Sequence, residues 1–134
     1  MPKTYISILF ITISMVGTGC SLLQFTNCFI QPSSLTINLD SLPDARLNQH
    51  YHSLLTISNN DTPVGAAYIK EGDLPQGINL AFNKHNSSPS ITLSGTPTHA
   101  GLYSFTLAAW SYGTNCPGMT GEWLFKLQVT EVIK

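Results

Sequence analysis

The chain has 134 residues, with six Lys and Arg against seven Asp and Glu, a formal net charge of −1 and 43% hydrophobic residues. That length suits one domain, and the near-neutral balance leaves no basic stripe to neutralise phosphates, which excludes nucleic acid as a partner. Only 10% of residues are charged, so Asn, Ser, Thr and Gln must cover most of the surface.

Lys3 opens the chain with a small positive region, Tyr5 to Val16 is an uncharged apolar and hydroxyl run, and Gly17-Thr18-Gly19-Cys20 follows. About 12 apolar residues suit a secretion signal, because a helix needs roughly 20 to cross a bilayer. The small residues before Cys20 resemble the lipobox of bacterial lipoproteins, with Gly17 standing where that family usually has Leu, Val or Ile. The resemblance implies a signal helix over residues 1–19, cleavage before Cys20, and a lipid on that cysteine that holds the mature chain at a membrane. Ordinary secretory cleavage nearby and a retained helical anchor are the alternatives. Ser21 resembles the pattern sorted to the outer membrane, and several acyl chains on one terminus anchor stably. The expected location is therefore the bacterial cell envelope, lipid-anchored, at the outer membrane.

Cleavage there leaves 115 residues and two further cysteines, Cys28 and Cys116. An exported compartment permits them to pair. Closing so long a loop contributes about 4–5 kcal/mol in the chain-entropy account. Two separate buried thiols is the competing reading. The turn sequence Gly113-Thr114-Asn115-Cys116-Pro117-Gly118 favours the disulfide.

Residues 20–34 read as the lipidated cysteine and a tether, and residues 35–134 as the domain. The tether carries Leu22, Leu23 and Phe25 and is punctuated by Pro32-Ser33-Ser34. Leu35, Ile37 and Leu39 alternate with polar residues as a first strand, and Leu42-Pro43-Asp44 is a turn. Tyr51 to Ser58 is a second strand, with either face eligible for the core. Asn59-Asn60-Asp61-Thr62-Pro63 is a strong turn signal, and Val64 to Ile69 is a third strand. Lys70 to Gly77 reverses the chain into a fourth, carrying Ile78, Leu80 and Phe82. Ile91 and Leu93 mark a fifth, and Leu102 to Trp110 a sixth, in which Tyr103, Phe105, Leu107 and Ala109 share a face. Gly121 to Thr130 is the last, with Trp123, Phe125, Leu127 and Val129 on one side. About seven short strands without helical periodicity after the signal predict an all-β chain folded as a β-sandwich.

Three pieces carry a resemblance: Leu74-Pro75-Gln76-Gly77-Ile78-Asn79-Leu80, then Ile91-Thr92-Leu93-Ser94-Gly95-Thr96-Pro97, then Ala100-Gly101-Leu102-Tyr103-Ser104-Phe105-Thr106-Leu107. Together with Leu42-Pro43 and Gln49-His50-Tyr51 they resemble the immunoglobulin-like (cadherin-like) domain repeated in many bacterial surface proteins, over residues 35 to 131. The resemblance implies an immunoglobulin-like sandwich with an adhesive or spacer role and no catalysis. It departs from the family in having one copy rather than tandem modules, and in the loop from Ser111 to Gly121.

Candidate chemistry is sparse. His50 and His52 are two apart and would point to one side of a strand, but His85 and His99 lie in polar loops. Asp40, Asp44, Asp61, Glu71 and Asp73 are dispersed rather than gathered into an oxygen-rich loop. No serine sits in a nucleophile elbow. The chain is thus expected to need no metal or cofactor and to have no catalytic residues, a metal-dependent or hydrolytic envelope enzyme being the minor alternative. Trp110 and Tyr112, with Met119 in the following loop, are the candidate binding surface, because amphipathic rings at a strand end can stack on sugar or protein. The expected partners are a membrane, through the lipid anchor, and an envelope protein or glycan.

Overall fold

The computed structural model describes residues 34–58, 62–84, 88–113 and 117–131. The signal segment, Cys20, Cys28, Asp61, His85 and Cys116 lie outside the described residues. Eight strands follow in order: β1 (Thr36–Ile37), β2 (Ala45–Arg46), β3 (Tyr51–Ser58), β4 (Val64–Gly72), β5 (Ile78–Asn83), β6 (Ser90–Gly95), β7 (Gly101–Ser111) and β8 (Thr120–Thr130). They form two four-stranded sheets, ordered β1-β3-β6-β5 and β2-β8-β7-β4. The pairing is antiparallel except for β2 on β8.

Period-two alternation builds both inner faces. In β3 the inner set is Tyr51, Ser53, Leu55 and Ile57, all buried, against exposed His52 and Leu54, which decides the face that alternation alone left open. Ile91 and Leu93 of β6 join them, and from the second sheet come Phe105, Leu107 and Ala109 of β7 with Phe125, Leu127 and Val129 of β8. The Phe105 and Phe125 rings meet across the β7–β8 pair at 6.3 Å between centroids. Trp123 is half-buried and packs on the edge of this core.

The first expected strand is shorter than its alternation suggests, because the chain changes sheets there. Leu35 donates its N–H to the Thr120 carbonyl of the second sheet at 3.1 Å. Thr36 and Ile37 then pair with β3 in the first. Asn38 ends that pairing by taking the Thr56 N–H on its side-chain Oδ1 at 2.7 Å while donating its own N–H to the Thr56 carbonyl. The strand beyond the expected seven, β2, has only two residues and so no period to read. It returns to β8, where Leu47 donates to the Thr130 carbonyl at 2.9 Å.

Two motif pieces meet backbone to backbone at one end of the sandwich. Gly77 (φ 95°) and Gly95 (φ 144°) both take backbone angles that side-chain-bearing residues avoid. A Cβ on Gly95 would lie 1.9 Å from the Gly77 carbonyl oxygen, and one on Gly77 would lie 2.0 Å from that of Thr96. In the space so kept, Thr96 donates to Gly77 and Thr98 to Gln76, each at 3.0 Å. The Leu-Pro-Gln-Gly and Gly-Thr-Pro pieces therefore form one lock, closed only because neither glycine has a side chain.

Candidate functional site

The opposite end of the sandwich is assembled by side chains. Trp110 is the last outward-facing residue of β7, opposite Ala66 of β4. A bulge in β4 between Val64 and Ala66 brings Gly65 under the indole, where a Cβ would lie 2.3 Å from the ring. The tryptophan thus lies flat on bare backbone. Tyr112 forms a T-shaped pair with it, with 4.8 Å between centroids and 79° between planes, a favoured arrangement for the ring quadrupoles. Lys84, just past the end of β5 in the other sheet, holds its Nζ 5.0 Å from the centre of the Tyr112 ring, within cation–π range. Tyr112 is 46% exposed, and Lys84 is exposed. Gly65, Trp110, Tyr112 and Lys84 form a continuous ladder from backbone to ammonium.

The base of the next loop is clamped. Ser111 donates its N–H to the Met119 carbonyl at 2.8 Å, and its buried Oγ accepts the Met119 N–H at 2.9 Å. Tyr112 donates its N–H to the Pro63 carbonyl at 2.9 Å. These bonds fix the backbone that carries the exposed ring.

Of the three residues expected to form the surface, Trp110 and Tyr112 come together and Met119 does not join them. Met119 is 7% exposed and belongs to the core, because the Ser111 clamp turns its side chain inward. Lys84 was not anticipated. It stands 28 positions before Tyr112 in the chain, and only the packing of one sheet's end against the other's brings them together. His50, His52 and His99 are exposed, and His99 shares a 3.0 Å hydrogen bond with the Thr98 hydroxyl. Among the described residues no three His, Cys, Asp or Glu side chains gather where they could hold a metal ion.

A concavity of about 300 Å³ opens beside β8, lined by Ile37, Leu39, Asp40 and residues 122–125. Its rim carries an exposed ion pair in which Lys70 Nζ reaches Glu122 Oε1 at 2.7 Å. Lys70 reaches over β7, where the small side chain of Ala108 stands opposite Glu122.

No family model and no curated protein matches the chain. Solved structures do match its fold. The sialic acid binding region of the Streptococcus sanguinis SK1 adhesin, bound to 3'sLn, aligns at TM-score 0.59 and 13% identity, covering 73% of this chain and 30% of that one. The SrpA adhesin from Streptococcus sanguinis aligns at 0.55 and 15%, covering 76% and 60%. An endo-fucoidan hydrolase from glycoside hydrolase family 107 aligns at 0.57 and 17%, covering 78% and 14%. This chain therefore spans less than two thirds of each. What is shared is architecture: the domain is an all-β immunoglobulin-like sandwich.

Proposed function

We propose that this is a non-catalytic binding module of the bacterial cell envelope, held at the membrane by a lipid on Cys20, which adheres to glycan through Trp110, Tyr112 and Lys84. The observation that carries the reading is the ladder itself. An edge-to-face aromatic pair leaves a ring surface that stacks on the C–H face of a pyranose, while the indole N–H, phenol and ammonium supply directional hydrogen bonds at its rim. Lys84 adds a preference for sugars that carry carboxylate or sulfate. Two of the structures with this fold are named as adhesins, and one of these as sialic acid binding, which agrees with an adhesive role. Envelope location rests on the signal-like run and the residues before Cys20. A Cys28–Cys116 disulfide would tie the tether to the domain.

A glycan array followed by titration calorimetry tests the reading. The expected result is binding of acidic oligosaccharides that falls at least tenfold in Tyr112→Ala and selectively for acidic sugars in Lys84→Gln. Unchanged binding in Tyr112→Ala would move the ligand elsewhere. Intact mass of membrane-purified protein, before and after reduction and alkylation, tests the rest. Loss of residues 1–19 with acyl mass on Cys20, and two thiols alkylated only after reduction, is the expected pattern.

A further inference from the structure

β8 is hydrogen-bonded on its two sides very unequally. On one side β7 accompanies it from Thr120 to Val129 without a break. On the other side the described residues pair with its backbone only near its ends, through the Ser34–Thr120 bridge and through Ala45 and Arg46 beside Val129 and Thr130. Between those points the chain has crossed to pair with β3.

The backbone direction in the gap follows from its two ends. The carbonyls of Thr120 and Thr130 both face the outer edge, since they accept from Leu35 and Leu47. Strand alternation then turns the N–H and C=O groups of Glu122, Leu124 and Lys126 to that same edge. Among the described residues no other strand pairs with them there. Elsewhere the sheet is protected in a familiar way, β4 carrying two register shifts and the charges of Lys70 and Glu71. The window on β8 has neither a bulge nor a proline. It also opens on the 300 Å³ concavity, whose lining includes Trp123 and Phe125 together with Ile37 and Leu39. Leu124, on the outer face, is 65% exposed.

We propose that this window is a strand-addition site for an extended peptide segment of a partner protein. The segment completes the sheet through the backbone of Glu122, Leu124 and Lys126 and lowers alternate apolar side chains into the concavity. The charges on the outer face specify the rest. Opposite Leu124 an apolar residue is required, opposite Lys126 an acidic one, and opposite Glu122, whose Oε1 is already held by Lys70, a basic one able to use the second oxygen. Antiparallel addition, the more stable arrangement per residue, reads from the peptide's N-terminus as acidic, apolar, apolar, apolar, basic. A second copy's β8 carries the right charges, since Glu122 would oppose Lys126 about a central Leu124. Its eleven residues, however, exceed the window between Ser34 and Ala45, so a rigid strand would collide with those flanks where a flexible segment arches in. Glycan is a poorer occupant, because the window offers a regular row of alternating amide donors and acceptors that another backbone matches group for group.

The test is amide hydrogen exchange by NMR on the full chain, with acetyl-Thr-Glu-Val-Leu-Val-Lys-Thr-amide as the probe. In the free protein the amides of Glu122, Leu124 and Lys126 should exchange quickly while their neighbours bonded to β7 exchange slowly. Saturating peptide should slow the three amides at least tenfold and leave the signals of Tyr112 and Lys84 in place. The same peptide N-methylated at its Glu, Leu and Lys, and so unable to donate to the edge, should give no protection. Slow exchange in the free chain, no protection by the probe, or equal protection by the methylated peptide would each overturn the proposal.

Discussion

The two ends of the sandwich are closed by different means. At one end, Gly77 and Gly95 press backbone on backbone and the bonds from Thr96 and Thr98 run between main-chain groups. At the other, a tryptophan lies on a glycine, a tyrosine leans on the tryptophan, and a lysine approaches the tyrosine from the other sheet. The first end leaves no room for a side chain at its glycines. The second keeps an aromatic ring and a cation in solvent. On the proposed reading, stability and recognition fall at opposite poles of one domain, and substitutions should separate them.

The largest effect is expected at the backbone lock. Gly95→Ala puts a methyl group into the Gly77 carbonyl and a side chain at φ 144°, so it should cost about 2–3 kcal/mol in urea unfolding. Trp110→Ala comes next. It uncovers Gly65 and removes the Tyr112 contact, for about 1–2 kcal/mol, and it should also abolish glycan binding. If Gly95→Ala weakened binding in its folded fraction, or Trp110→Ala left binding intact, the separation of the poles would be wrong.

A third substitution at the locked end should act in the opposite direction. Tyr51 is 6% exposed and its hydroxyl has no hydrogen-bond partner among the described residues. Burial holds the phenol above its ordinary value of 10.0. The Ser53 hydroxyl offsets part of that rise without closing a hydrogen bond, and the Asp44 carboxylate adds to it. Removing an unsatisfied buried oxygen while keeping the ring should stabilise, so Tyr51→Phe is expected to gain about 1 kcal/mol at neutral pH. A loss of stability in Tyr51→Phe would mean that the hydroxyl is bonded in solution.

The contrast between the ends also explains what was legible in the chain. The locked end is written in contiguous pieces, Leu74 to Gly77 and Gly95 to Pro97, whose residue types follow from local backbone angles. The inner faces of β7 and β8 are equally readable, since eleven-residue strands alternate for long enough to declare a period. The ladder end is different. Trp110 and Tyr112 could be nominated from one strand, but Lys84 belongs to another sheet, and Gly65 looks like an ordinary strand glycine until an indole is found above it. Met119 was misplaced for a related reason. Its loop position suggested exposure, while the Ser111 hydroxyl, invisible as a clamp in one dimension, turns it inward. The window on β8 was hidden because it is made by the chain leaving one sheet for the other after Leu35, a crossing that no local pattern announces.

The smallest effect should come from the exposed pair that crosses β7, Lys70 with Glu122. Lys70 is exposed, and its hydrogen bond and charge interaction with Glu122 raise its pKa above the ordinary 10.5, with minor help from Glu71 and Tyr68. A raised value means that the folded chain holds the proton more tightly than the unfolded chain. The pair's contribution is therefore complete below 10.5 and is lost as pH climbs through the raised native value. Tyr51 acts in the same direction from 10.0 upward, because its phenol resists ionising only when folded. Stability should accordingly decline above about pH 10 in the wild type, and less steeply in Tyr51→Phe. Lys70→Gln should remove a further small part of that decline, and only at low ionic strength, since an exposed pair is screened by salt. Melting curves from pH 8 to 11.5 at two salt concentrations check this. A salt-insensitive loss in Lys70→Gln would show that the side chain acts as cover over Ala108 rather than as a charge.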